Sequence, residues 1–154
     1  MKAILLAGAL ASLTGCVAVD QSESNIDLTV RHDLGPEGEG LGLPFSKAVS
    51  AGDIIFLSGE LGIKPGSRTP IPGGAGPETT QIFQNIEATL KRNGASLGDI
   101  VKCTVFLEDM ADYDAMNKAY TAALPDPKPA RSTFGVDGIA LGASLEIECI
   151  AIQQ

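Results

Sequence analysis

The chain has 154 residues and a mass of 15.9 kDa, enough for one ordinary domain with a single core and too short for two. Hydrophobic residues make up 44% and charged residues 19%, which excludes an intrinsically disordered chain. Nineteen acidic against eleven basic side chains leave a net charge of −8, and with aromatics at 5% and no basic block this argues against a nucleic-acid partner.

Residues 1–15 read as a signal peptide of the lipoprotein type. Lys2 supplies a positive start, residues 3–13 form an uncharged apolar run, and Leu13-Thr14-Gly15-Cys16 closes it with small residues before a cysteine. A membrane-spanning helix would want about 20 apolar residues, more than this run offers. On this reading Cys16 is the lipidated first residue of the mature protein and residues 16–25 are a polar tether. The protein is then expected in the bacterial cell envelope. Val17 after Cys16 resembles the pattern of lipoproteins sorted to the periplasmic face of the outer membrane.

The folded domain is expected over 26–154. Residues 26–30 suit a first strand, 35–42 are a Gly-rich acidic turn, and 45–49 with 54–58 suit a hairpin turning at 50–53. Pro65, Pro70, Pro72 and Pro77 with Gly66, Gly73, Gly74 and Gly76 exclude regular structure over 62–77, read as a surface loop in preference to an active-site lid. Ile82, Ile86 and Leu90 recur at helical spacing with Phe83 beside them, predicting an amphipathic helix over 78–93 ended by Gly94. Residues 100–107 are rich in β-branched side chains, and alternation puts Val101, Cys103, Val105 and Leu107 on one face. Asp112 is placed to cap a second helix carrying Tyr113, Met116, Tyr120 and Ala123 until Pro125 stops it. A Pro-rich connection leads to Arg131, and 145–152 close the chain as a strand.

The fold class is therefore α+β, with two helices on one face of a sheet. The other face needs cover, which oligomerisation supplies economically. Cys103 and Cys149 both fall in strands. A bridge between them is conceivable, and two unlinked buried thiols are the favoured reading.

Several chemistries are missing from the sequence. His32, the only histidine, lies in a polar segment and offers no Ser-His-Asp triad, and there is neither Cys-x-x-Cys zinc spacing nor a phosphate-binding glycine loop. What remains are polar groups near strand ends. Arg131, held between prolines and Ser132, can present a planar fork to a carboxylate. Glu146 and Glu148 share a strand face with Ile150 and Ile152, where desolvation and like charge raise a carboxylate toward the range useful for general base work. A surface arginine and solvated edge glutamates are the plain alternatives.

Six segments, in order, carry a resemblance. Leu43-Pro44-Phe45-Ser46-Lys47-Ala48-Val49 resembles the Pro-Tyr-Ser-x-Ala-Val opening of the reactive intermediate deaminase family (RidA, YjgF-type), and Leu57-Ser58-Gly59-Glu60 is similar to its Ser-Gly-Gln strand. Residues 94–107, Gly-Ala-Ser-Leu-Gly-Asp-Ile-Val-Lys with Thr-Val-Phe-Leu after Cys103, are similar to its middle signature. Met116-Asn117-x-x-Tyr120, Pro129-Ala130-Arg131-Ser132 and Ile147-Glu148-x-Ile150-Ala151 complete the series, so the resemblance spans residues 26–154.

The resemblance implies a chorismate-mutase-like fold, a homotrimer with ligand clefts at subunit boundaries, and hydrolysis of 2-imino acids or their enamine tautomers without metal or organic cofactor. It implies that Arg131 holds the substrate carboxylate and that Glu146 activates water. Ser58 and Gly59 would line the cleft, and Asn117 and Tyr120 its wall. Phe45 stands where many members have Tyr, and Thr133 with Phe134 after the Arg-Ser pair would shape the pocket for a different side chain. Expected partners are a small 2-imino acid, two further copies of the chain, and a membrane through Cys16. The competing reading is a noncatalytic ligand-binding trimeric lipoprotein. Ribonuclease activity, attached to some relatives, fits the acidic surface and lone histidine least.

Overall fold

The computed structural model of the protein describes residues 29–36 and 44–153. The expected signal peptide, Cys16, the 16–25 tether, residues 26–28 of the expected first strand and 37–43 of the Gly-rich turn lie outside the described residues.

Seven strands form one mixed sheet: β1 (Val30–Asp33), β2 (Ala48–Ala51), β3 (Ile54–Leu57), β4 (Glu60–Leu61), β5 (Ile100–Leu107), β6 (Ala130–Gly135) and β7 (Leu145–Ile152). Two helices, α1 (Ala75–Arg92) and α2 (Tyr113–Ala123), pack on each other and on one face of it. The order is β1-β2-β3-β7-β5-β6, and β4 continues the line of β3 along β7. Every pairing is antiparallel except β5 with β6, the two strands that α2 connects.

Alternation along β7 sets the layers. Leu145, Ile147, Cys149 and Ala151 are buried beneath the helices, whereas Glu146, Glu148, Ile150 and Ile152 face the other way. From above, α1 supplies Ile82, Phe83, Ile86 and Leu90, all buried as the periodicity predicts, and α2 supplies Met116 and Tyr120. Each such side chain removed from water stabilises the fold by about 1.5–3 kcal/mol. Among the described residues the opposite sheet face carries no helix and leaves Ile54, Phe56, Phe134 and Ile152 exposed.

Several local expectations change. The β2–β3 hairpin turns on two residues, Gly52-Asp53, with Gly52 at φ 58°, so Ser50 and Ala51 remain in the strand. A register shift between Ile100 and Lys102 turns Val101 out to solvent and lets Ile100 take its place in the core. Asp112 makes no side-chain cap on α2. Its role passes to Asp109, which caps the short turn Met110–Asp112 leading into the helix. Arg131, expected at the end of a Pro-rich connection, sits in β6, an edge strand. Cys103 and Cys149 lie directly opposite in register and form a disulfide, correcting the expectation of unlinked thiols. Their antiparallel pairing brings the Cα atoms to 4.1 Å, and both side chains are buried.

Candidate active site

Glu146 projects from the start of β7 onto the helix-free face, paired with Phe106 of β5 and Leu61 of β4. Its carboxylate lies against Gly59, where an added Cβ would come to 1.7 Å from Glu146 Oε1, so only glycine leaves room. Partial burial, then the charges of Glu148 and Glu60, raise the proton affinity of Glu146 above that of an ordinary glutamate. Glu148 occupies the same face one pleat on, opposite Thr104, and is exposed.

Polar bonds fix the wall beside Glu146. Ser58 Oγ donates to the Ser46 carbonyl at 2.6 Å, and the Ser58 N–H donates to the Lys47 carbonyl at 3.1 Å. Phe45, adjoining this segment, is 48% exposed. Glu60 accepts from Lys47 Nζ at 2.9 Å and from Asn85 Nδ2 at 3.1 Å. Asn85 also donates to the carbonyls of Leu61 and Ile63, tying β4 and the following loop to α1.

Arg131 belongs to a second cluster. In register with Cys103 it faces the helices, and its guanidinium carbon lies 4.6 Å from the Tyr120 ring centroid and 5.6 Å from that of Tyr113. Nη2 donates to the Tyr113 hydroxyl at 2.9 Å, and Nη1 approaches the Met116 sulfur at 4.0 Å. Tyr113, Met116 and Tyr120 recur at three- and four-residue steps, so one face of α2 is a cradle for the cation. Burial raises the Tyr120 phenol pKa and the Arg131 charge opposes it. Tyr120 OH and Thr133 Oγ1 are buried without a hydrogen-bond partner among the described residues. Asn117 lies in the same helix, partly exposed.

The expected site residues thus form two groups in one chain. Arg131, Thr133 and Tyr120 lie on the helix side near the sheet edge, Glu146 and Gly59 meet at β7, and Ser58, next to Gly59, bonds to the Ser46 carbonyl beside Phe45. Strand β5 separates β6 from β7, about 10 Å by strand spacing, and the two key side chains leave opposite faces. Tyr113 was missed in the sequence because it fitted an apolar helix face. Its spacing from Met116 and Tyr120 was the available signal.

The model of the family described as Endoribonuclease L-PSP matches residues 41–153. Reactive Intermediate Deaminase A, chloroplastic, of Arabidopsis thaliana is 40% identical over 108 residues, covering 70% of this chain and 58% of that protein. The 2-iminobutanoate/2-iminopropanoate deaminase of Mus musculus is 36% identical over 110 residues, 71% of this chain and 82% of that one. Protein mmf1, mitochondrial, of Schizosaccharomyces pombe is 42% identical over 113 residues, 71% and 68% of the two chains. Among solved structures, RidA from Psychrobacter sp. PAMC 21119 superposes with a TM-score of 0.68 at 34% identity, covering 71% of this chain and 89% of that one.

These relatives correct the expected location. Protein mmf1 and the Arabidopsis protein are named as mitochondrial and chloroplastic, so the envelope placement inferred from a short apolar run at residues 1–16 does not stand. That reading rested on the pattern of residues 1–16 alone, and the match that carries the relationship begins only at residue 41. With a model matched over most of its length, a shared fold and relatives named as imine deaminases, this chain belongs to the Endoribonuclease L-PSP family, that of the reactive intermediate deaminases.

Proposed function

We propose that the protein hydrolyses 2-imino acids and their enamine tautomers to 2-keto acids and ammonia, in clefts shared between the subunits of a homotrimer. The observation that carries this reading is the pair of prepared groups: a guanidinium seated on two aromatic rings, and a carboxylate of raised proton affinity. The names of relatives at 36–40% identity support the reaction type.

The chemistry needs little beyond these groups. An imine carbon next to a carboxylate is already electrophilic, so positioning and one base suffice. Arg131 grips the substrate carboxylate with its planar fork. Glu146 takes a proton from water as the water oxygen bonds to C2 of the protonated imine, giving a neutral carbinolamine. The same carboxyl then returns that proton to nitrogen, and as the C–N bond breaks and ammonia leaves, the hydroxyl oxygen becomes the 2-keto group and gives its proton to the Glu146 carboxylate, which passes it to the departing ammonia. Gly59 admits the Glu146 side chain, Ser58 and Phe45 form the adjoining wall, and Asn117, Tyr120 and Thr133 flank Arg131.

Assembly follows from the same geometry. Arg131 and Glu146 leave opposite faces of one chain, so a cleft using both draws them from two copies. The helix-free face, with Phe56, Phe134 and Ile152 exposed, supplies apolar surface for such contacts. The test is an assay of 2-keto acid and ammonia from imines generated in situ from several amino acids, with light scattering on the same sample. Release no faster than in buffer for every imine leaves a noncatalytic ligand-binding protein, and a persistent monomer at micromolar concentration removes the shared cleft.

A further inference from the structure

Arg131 can grip a carboxylate with two prongs along either of two edges, Nε with Nη2 or Nη1 with Nη2, and each edge uses a different Nη2 proton. The Tyr113 hydroxyl accepts one Nη2 proton at 2.9 Å. A single two-pronged edge is left. The rings of Tyr113 and Tyr120 fix the guanidinium from its faces, and Met116 lies against Nη1. Height and rotation of the fork are therefore set by α2 before any ligand arrives.

We propose that Tyr113 is a positioning residue of the reaction, which selects the one edge of Arg131 that receives the substrate carboxylate and so fixes where C2 lies relative to the attacking water. The proposal rests on the reading of Arg131 as the carboxylate clamp. Tyr113 acts through Arg131, so its loss leaves affinity for the carboxylate and disturbs alignment. Freed of the hydroxyl, the fork offers both edges, and bound substrate spends time turned away from the base.

Tyr113→Phe removes the hydroxyl and keeps the ring. In the wild-type assembly background, kcat should fall about tenfold, part of the roughly 10²-fold that a 1 Å misplacement can cost. KM and the Kd for 2-oxopropanoate, measured by calorimetry, should stay within about twofold, and Tm should be unchanged. Placed on Arg131→Lys, the same substitution should change kcat by less than about twofold, because the group it acts through is already gone. A weakened Kd with kcat intact, or costs that add in the double variant, overturns the proposal and leaves Tyr113 a packing residue. If Arg131→Lys alone leaves both 2-oxopropanoate binding and turnover at wild-type levels, the clamp itself fails and Tyr113 has nothing to position.

Discussion

Two inactive variants should restore each other. Arg131→Lys keeps the charge and loses the fork, and Glu146→Gln keeps the shape and loses the base, each lowering turnover by about 10²-fold or more. Within one chain the two side chains leave opposite sheet faces with β5 between them, so neither variant has a spare cleft of its own. If every cleft takes Arg131 from one protomer and Glu146 from its neighbour, random assembly of equal amounts makes about one half of the Arg131 positions and about one half of the Glu146 positions intact, hence about one quarter of the clefts. The variants are unfolded, mixed and refolded together, and 2-keto acid release is compared with the same proteins mixed after separate refolding. Activity should reach about a quarter of wild type in the first sample and stay near zero in the second. A wild-type chain mixed with the double variant gives the converse control, about one quarter for a shared cleft and about one half for a cleft within one chain. Mixed refolding that never exceeds the separate variants, with the control at about one half, refutes the shared cleft.

Other perturbations probe the parts. Because burial and then the charges of Glu148 and Glu60 raise the proton affinity of Glu146, the acid limb of kcat/KM should lie above the ordinary carboxylate range, and Glu148→Gln should move it to lower pH while sparing turnover. The folded chain holds that proton more tightly than the unfolded one, so this contribution to stability is present at low pH and lost as pH rises through the folded value. Glu146→Gln should therefore raise Tm at pH 8 and leave it unchanged at pH 4, and the reverse pattern would contradict the assigned environment. Gly59→Ala puts a methyl group on Glu146 Oε1, and with the carboxylate displaced, kcat should fall about 10²-fold while circular dichroism is unchanged. Replacing Cys103 and Cys149 together by Ala opens a loop closed across 46 residues, worth about 4 kcal/mol on chain entropy, and an unmoved denaturation midpoint would mean that the bridge adds nothing.

Legibility in the sequence followed locality. Ile82, Ile86 and Leu90 announce α1 because a helix writes its buried face within a few residues, and β5 and β7 announce themselves by alternation. The facing of Glu146 and Glu148 was readable for the same reason. Strand β6 was not, because an edge strand entered from a Pro-rich segment carries Arg131, Ser132 and Thr133 where a buried strand would alternate, and only pairing with β5 defines it. The Val101 bulge and the Cys103–Cys149 link depend on register between segments some 46 residues apart, which neither segment encodes alone. The family motifs named Arg131 and Glu146 as positions of interest, yet their placement on opposite faces needed the strand order.

Strand β7 has a consequence for how this protein can vary. Its eight residues hold two interleaved messages: the odd positions 145, 147, 149 and 151 govern whether a subunit folds, and the even positions 146, 148, 150 and 152 govern what its outer face does. Substitutions at even positions can drift in chemistry or partner without threatening the core, and those at odd positions can be repacked without altering that outer face. A one-residue insertion or deletion within the strand is different in kind. It exchanges the two messages over part of the strand, sending glutamates under the helices and aliphatic side chains outward. Lineages of this chain should therefore tolerate point changes along β7 on separate clocks for the two parities, while length changes are confined to the connection between β6 and β7.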